Sequence, residues 1–337
     1  MMPRTVLVMG ASGFVGSHVT RQLVERGDRV RVLLRRTSST RGIDDLDVER
    51  HYGDIFDDAA VRGAMAGCEA VFYCVVDARA GLADPTPLFR TNVEGLRRVL
   101  DIAVGADLGR FVFLSTIGTI AVSDDGSAVT EQTPFNWADK GGAYIESRRA
   151  AEDLVLSYAR QRGLPAVAMC VSFPYGPRDW QPTPHGGLVG LAARGRMPAY
   201  ISGWSTEVVG VEDTARAMLL AAEKGRVGER YIVSESFLSN RELFSVAARE
   251  TGAPPPRLGV PLAALSVGAH AVEPLRRLLP NRIPALLTVV RLMRLTSPAD
   301  HGKATRELGW YPRPATEAIR RAARFHAERV RGQEVRT

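Results

Sequence analysis

Lysine is almost missing from this chain. Of 44 basic residues among 337, only Lys140, Lys224 and Lys303 are lysines, so the formal net charge of +7 is carried by arginine. The arginines form no long block. Pairs such as Arg35-Arg36 and Arg276-Arg277 stand among interleaved acidic residues, which argues for a solvated surface and against a polynucleotide groove. Nucleic acid is therefore not an expected partner. Cysteine is scarce too: Cys68, Cys74 and Cys170 make an odd number, with no C-x-x-C pair and no histidine spacing suited to zinc. That excludes a disulfide framework and a zinc module, and no metal is expected. Long apolar runs are also lacking. The run Val6 to Met9 stops at Gly10, too short for a secretory segment, and Gly259 to Val272 is broken by Pro261 and His270 below the ~20 residues a bilayer span needs. The expected setting is cytoplasmic, and no repeat or low-complexity tract breaks the chain.

What is present is an alternation. Apolar residues make up 45% of the chain and charged residues 24%, the balance of a folded protein with a substantial core. Short β-branched runs predict strands at Thr5–Met9, Arg29–Leu34, Val48–Tyr52, Ala70–Val75, Phe111–Ser115 and Ala166–Cys170. Segments of helical period lie between them at Val15–Arg26, Asp57–Met65, Pro87–Val104 and Tyr144–Arg162. Six parallel strands with covering helices make an α/β, Rossmann-type doubly wound sheet. After Cys170 the rhythm breaks, and the proline-rich stretch Phe173 to Pro184 reads as an ordered loop. Glu207–Val211 and Arg230–Val233 read as further strands around a helix at Asp213–Glu223, and the pattern from Ser236 onward is helical, broken at Pro254–Pro256 and Pro274. The expected division is a nucleotide-binding domain from residues 1–171 and 205–235, with a smaller, mainly C-terminal substrate lobe from 172–204 and 236–330.

The first strand runs into Gly10-Ala-Ser12-Gly13-Phe14-Val15-Gly16 and then a helix. Glycines there permit a tight turn and close backbone approach, and the helix N-terminus favours a pyrophosphate. Dinucleotide binding is the reading that placement supports. The second strand ends in Arg35-Arg36-Thr-Ser-Ser, where an NAD-binding chain would carry a carboxylate for the ribose hydroxyls. Guanidinium groups bond phosphate oxygens in pairs, so the 2′-phosphate of NADP is expected in preference to NAD.

The glycine spacing, Gly53-Asp54-Ile55, Arg90-Thr-Asn92-Val-Glu-Gly95, Tyr175-Gly-Pro-Arg178-Asp179 and Lys303-Ala-Thr-Arg-Glu-Leu-Gly309-Trp-Tyr-Pro312 resemble the extended short-chain dehydrogenase/reductases. Within them the chain is similar to the NAD-dependent epimerase/dehydratase family, in its dihydroflavonol-reductase-like and hopanoid-associated sugar-epimerase-like branch. The resemblance implies that Asp54 and Ile55 flank the adenine and that Asn92 lies near the nicotinamide half. It also implies a homodimer, paired through the helices at Pro87–Val104 and Tyr144–Arg162.

Tyr144 and Arg148 stand four apart on one helix, so they share a face. A tyrosine moves protons at neutral pH only when its phenolate is stabilised, and a fixed cation beside it does that. The family pattern is Tyr-x-x-x-Lys, so here arginine occupies the lysine position. By the same resemblance Thr116, with Ser115 as alternate, is the hydroxyl that holds substrate oxygen at the carboxyl edge of the sheet. Tyr73-Cys74-Val75-Val76 stands where the family has small alanines, which narrows the approach to the cofactor.

The loop Tyr175 to His185, with Tyr175 as a substrate contact, and the segment Leu258 to Leu295 are expected to face a small-molecule substrate. The latter is rich in Leu, Val and Ala, which favours an apolar steroid-, flavonoid- or terpenoid-like substrate; a shallow membrane contact edged by Arg276, Arg277, Arg282, Arg291 and Arg294 is the other reading. The favoured function is an NADP(H)-dependent oxidoreductase acting on a secondary alcohol or ketone. Two alternatives stand beside it. One is a nucleotide-sugar epimerase or dehydratase, although Ile117-Gly118 lacks the acidic groups a dehydratase would want beside Thr116. The other is a non-catalytic NADP-binding sensor, for which Arg148 is the support.

Overall fold

The computed structural model describes residues 4–79, 82, 84–278 and 286–334. Seven strands form one parallel sheet: β1 (Thr5–Met9), β2 (Arg29–Leu34), β3 (Glu49–Tyr52), β4 (Ala70–Tyr73), β5 (Arg110–Thr116), β6 (Ala166–Val171) and β10 (Arg230–Val233). Their spatial order is β10-β6-β5-β4-β1-β2-β3. The order reverses beside β1, and the crevice between the carboxyl ends of β1 and β4 is where such sheets bind ligands. Because helices cover both faces, the central strands are apolar on both sides: Ala166 to Val171 is buried throughout.

Helices α1 (Phe14–Glu25) and α7 (Val211–Lys224) cover one face, where Val6, Val8, Val32, Phe72, Val112 and Met169 are buried. On the other face lie α2 (Asp58–Met65), α4 (Leu96–Val104) and α5 (Gly142–Arg162), packed on Leu7, Met9, Val71, Phe111 and Phe113. The helix expected over 87–104 is divided: α3 (Thr86–Phe89) and α4 are joined by a π-helical turn, Arg90–Gly95, that carries Asn92 inward. Asp57 caps α2 by accepting from the Ala60 amide at 3.0 Å.

The second half departs from expectation in three places. Phe173–Tyr175, read as loop, is a short strand, β7, because its backbone pairs in parallel with β9 (Ser205–Gly210). β9 was expected in the large sheet; it lies between β7 and the antiparallel β11 (Ser236–Ser239) in a separate three-stranded sheet, and β10 alone joins β6. Third, Leu258–Pro261 forms β12 and pairs with β8 (Ala199–Ser202) where a helical pattern was read. Around the small sheet pack α6 (Pro184–Ala193), α8 (Asn240–Glu250) and α12 (Ala315–Glu334), burying Val189, Phe244, Ile319 and Ala322. The remaining helices are α9 (Leu262–Leu278), which runs through Pro274, α10 (Leu286–Met293) and α11 (Gly302–Leu308). Arg282 lies outside the described residues. Among these residues no helix is long and apolar enough to cross a membrane.

Candidate active site

Gly10 turns the chain out of β1 at φ +85°. A Cβ there would lie 2.7 Å from the Cys74 carbonyl carbon and 2.9 Å from the Val75 nitrogen, so the turn rests on the end of β4 and excludes any side chain. A Cβ on Gly16 would collide with the Gly10 carbonyl, which is why α1 can start so close to β1. Gly13, after half-buried Ser12, is the N-cap of α1 and supplies no capping side chain. The first amides of the helix, at Phe14, Val15 and Gly16, are left without intrahelical partners, and the helix dipole favours an anion beside them. This cradle fits the diphosphate of a dinucleotide.

Arg35 and Arg36 stand exposed just beyond β2. The nearby carboxylates are engaged elsewhere: Asp45 by Arg21 at 2.8 Å, Asp44 by Arg50 at 3.3 Å and Glu49 by Arg31 at 3.1 Å. Arg36 lies over the Tyr52 ring, 5.5 Å from its centroid. At the third strand's end, Asp54 accepts from the Phe56 amide at 3.1 Å, and Ile55 is buried against α2 and α4. His18 of α1 reaches the Pro177 carbonyl at 3.0 Å, and burial pulls its pKa down to about 4, so it is neutral at physiological pH. It hooks the Tyr-Gly-Pro-Arg loop to the cofactor helix.

Tyr144, Arg148 and Glu152 recur every fourth residue along α5 and form one ridge facing the sheet. Tyr144 lies beside Thr116; burial raises its phenol pKa, while the Arg148 cation and the Thr116 hydroxyl oppose the rise. The net rise runs against the stabilised phenolate expected from the Tyr144–Arg148 spacing, and it leaves the phenol protonated at neutral pH. Arg148 is 2% exposed. Its Nη2 donates to the Leu114 carbonyl, and its guanidinium lies 5.1 Å from the centroid of the Phe113 ring. Nε and Nη1 are buried without a hydrogen-bond partner among the described residues. The Tyr73 hydroxyl, on a ring stacked against Phe111 and Phe113, is also buried and unpartnered. Such unmet donors are costly, and ribose hydroxyls are a chemistry that would satisfy them.

Two expected site residues prove to be internally engaged. Asn92 donates from Nδ2 to the Asp77 carbonyl and to Ser147 Oγ, both at 3.0 Å, and accepts from the Asp77 amide at 2.8 Å. Its amide clamps the loop after β4 to α5. Ser115, the alternate substrate anchor, donates from Oγ to Glu152 Oε2 at 2.5 Å. Thr116 is thus the hydroxyl left facing Tyr144, and its Oγ1 accepts from the Gly118 amide at 3.2 Å. Tyr175 sits in β7 with its ring 5.1 Å from that of His185, in the small sheet's core.

Glu152 is the residue whose importance spacing alone understates. Fully buried, it accepts from Ser115, from Thr119 Oγ1 at 2.7 Å and from Cys170 Sγ at 3.3 Å, and pairs with Arg230 at 3.2 Å. Thr119 Oγ1 also lies 2.8 Å from the Thr116 carbonyl and shares its one proton between that oxygen and Glu152, so this carboxylate helps anchor the turn that carries Thr116. The signal in the sequence was its place eight residues after Tyr144.

Residues 6–234 match the NAD dependent epimerase/dehydratase family. The chain is 32% identical over 330 residues to sterol demethylase protein B of Methylococcus capsulatus, covering 96% of this chain and 99% of that protein. It is 30% identical over 308 residues to 4-hydroxy-2-methyl-3-oxo-4-farnesyl-3,4-dihydroquinoline-1-oxide ketoreductase of Stigmatella aurantiaca, covering 90% of each. Among solved structures, that of gox2253 superposes with a TM-score of 0.86 at 34% identity, over 97% of this chain and 99% of that one.

Proposed function

The chain belongs to the NAD dependent epimerase/dehydratase family, and from that premise we propose that it is an NADP(H)-dependent oxidoreductase that reduces a ketone on an apolar small molecule. The observation that carries this reading is the half-buried Tyr144, whose phenol lies between the Thr116 hydroxyl and the Arg148 cation. The nicotinamide, when bound, supplies the hydride to the carbonyl carbon. Thr116 holds the carbonyl oxygen, and Tyr144 gives it a proton as charge develops there. Burial pulls the Arg148 pKa down, yet a guanidinium keeps its charge where a lysine would readily lose it, and stabilises the phenolate that remains. Arg148 is assigned to the nicotinamide ribose from its place in the family's Tyr-x-x-x-Lys pattern. The cradle headed by Gly10, Gly13 and Gly16 is assigned to the diphosphate.

The names of two relatives, one a sterol demethylase protein and the other a farnesyl-dihydroquinoline ketoreductase, support an apolar substrate. We assign the substrate lobe to the small sheet of β7, β9 and β11 with the helices packed on it, residues 172–210 and 236–330, and place a homodimer contact on the face of α4 and α5. That face is tied together by Tyr158 and Arg162, which donate to Asp101 at 2.8 and 2.7 Å.

Arg35 and Arg36 support NADP over NAD, since both are exposed and neither is in an ion pair among the described residues. Charge-assisted hydrogen bonds contribute roughly 1.5–3 kcal/mol, so Arg35→Ala is expected to weaken NADPH binding about tenfold or more and leave NADH binding nearly unchanged. Fluorescence titration with both cofactors checks this. Tighter NADH than NADPH binding by the unaltered protein would overturn the assignment.

A further inference from the structure

The stretch Leu258 to Val272 contains no charged residue, yet much of it faces solvent. It comprises β12 and most of α9, and it opens on Leu258, left 63% exposed. Along α9 the exposed positions Ala263, Ala264, Val267, Gly268 and Ala271 recur at helical spacing, so they form one continuous face on which Val267 is 71% exposed. His270 borders that face, with Nδ1 2.7 Å from the Ser266 carbonyl. A surface helix normally turns charged side chains to water, and over these turns α9 does not. Exposed apolar faces rimmed by polar groups mark contact with another body.

The rim is cationic. From Arg257 to Leu295 the chain carries six arginines and a single acidic residue, Glu273. Arg257 immediately precedes β12, while Arg291 and Arg294 stand at and just beyond the end of α10, which packs on α9 and leaves Val289 exposed. These three arginines are exposed and in no ion pair among the described residues. Elsewhere arginines are neutralised locally, as Arg26 is by Asp28 and Glu223, and Arg313 by Glu212 and Asp213. The long stem of an arginine at the edge of an apolar face lets its guanidinium reach a layer of phosphates. An apolar helix face with such an edge complements an anionic lipid surface. The patch also adjoins the reaction centre: Thr288 Cγ2 of α10 lies 3.9 Å from where a Cβ on Gly142 would sit, and Gly142 opens α5 two residues before Tyr144.

We propose that β12, α9 and α10 form a contact with the surface of an anionic lipid bilayer, with Leu258 and the Val267 face entering the boundary of the acyl chains and Arg257, Arg291 and Arg294 bonding lipid phosphates. The contact lies in the plane of the interface, since among the described residues no helix is long and apolar enough to cross. Binding draws on both parts. The apolar face supplies burial, and the arginines supply an attraction that salt screens.

Sedimentation of the whole chain with lipid vesicles tests this. Vesicles of phosphatidylcholine with about one-quarter phosphatidylglycerol are expected to bind it roughly tenfold or more tightly than phosphatidylcholine alone, and added salt to weaken that binding. One arginine near an anionic surface tightens binding about fivefold, so the double variant Arg291→Gln/Arg294→Gln is expected to lose about twentyfold. Val267→Ser, which removes apolar surface without adding charge, is expected to lose about fivefold. The charge-matched control Arg62→Gln/Arg216→Gln, at exposed positions on α2 and α7, is expected to change binding by less than about twofold. All these positions are exposed, so thermal midpoints should stay close to that of the parent. Equal binding to the two vesicles, no binding to either, a control that loses as much as the patch variant, or Val267→Ser binding as tightly as the parent would overturn the proposal. So would self-association in light scattering that Val267→Ser abolishes while vesicles go unbound, which would give the face to a second copy of the chain. Neither cofactor nor ketone enters the measurement, so its outcome is independent of the reductase reading.

Discussion

Tyr144→Phe is expected to lower kcat for ketone reduction about a thousandfold and to leave NADPH binding unchanged. General acid catalysis typically contributes 10²–10⁴ in rate, and the substitution removes one oxygen from a ring whose packing stays the same. The geometry argues for the upper part of that range, because no other protonated group is placed to substitute. Thr116 is a far weaker acid, Arg148 is a guanidinium that stays charged although burial lowers its pKa, and Ser115 is turned to Glu152. Steady-state NADPH oxidation checks the rate, and fluorescence titration checks the binding. A variant that retains most of its turnover would remove Tyr144 from the mechanism. The pH profile carries the sign: reduction needs the protonated phenol, and burial raises its pKa, so the rate should hold through neutral pH and fall only in alkali.

Glu152→Ala is expected to destabilise the protein by about 3–5 kcal/mol, the usual cost of stranding one partner of a buried ion pair. Arg230 would lose its carboxylate, and Ser115, Thr119 and Cys170 would lose a common acceptor. A drop in thermal midpoint on the order of 10 °C is the corresponding observable. Glu152→Gln keeps an acceptor oxygen for the hydroxyls and should cost less. Because Thr119 holds the Thr116 carbonyl, the glutamine variant is expected to raise KM for ketone more than it changes cofactor affinity. Denaturant titration and steady-state kinetics distinguish the effects. A Glu152→Ala protein as stable as the parent would show that the pair adds nothing.

Much of this was legible in the residue order, for local reasons. β1, β2 and β10 begin and end where expected, since glycine or charged residues bound continuous β-branched runs. The glycine turn and the Tyr144–Arg148 spacing are also local patterns, readable from a dozen residues. The short strands β7, β11 and β12 were not legible, because each owes its form to partners between 28 and 59 residues away in the chain. The direction of Arg148 was equally hidden: Leu114, whose carbonyl draws it toward the sheet, is 34 residues distant. Asn92 and Ser115 read as ligand contacts from resemblance, and only the fold shows that Asp77, Ser147 and Glu152 claim their polar atoms first.

The arginine at position 148 gives the account its sharpest test. If its charge and the Tyr144 phenol complete a working proton relay, hydride and proton must reach one carbonyl together. A single turnover with NADPH deuterated at the transferring C4 position, over a panel of apolar ketones, tests this by mass spectrometry of the product. Deuterium on the carbinol carbon of a product alcohol is the predicted result. NADPH that binds tightly while no ketone in the panel acquires deuterium would contradict the account and leave a cofactor-binding protein without reductase chemistry.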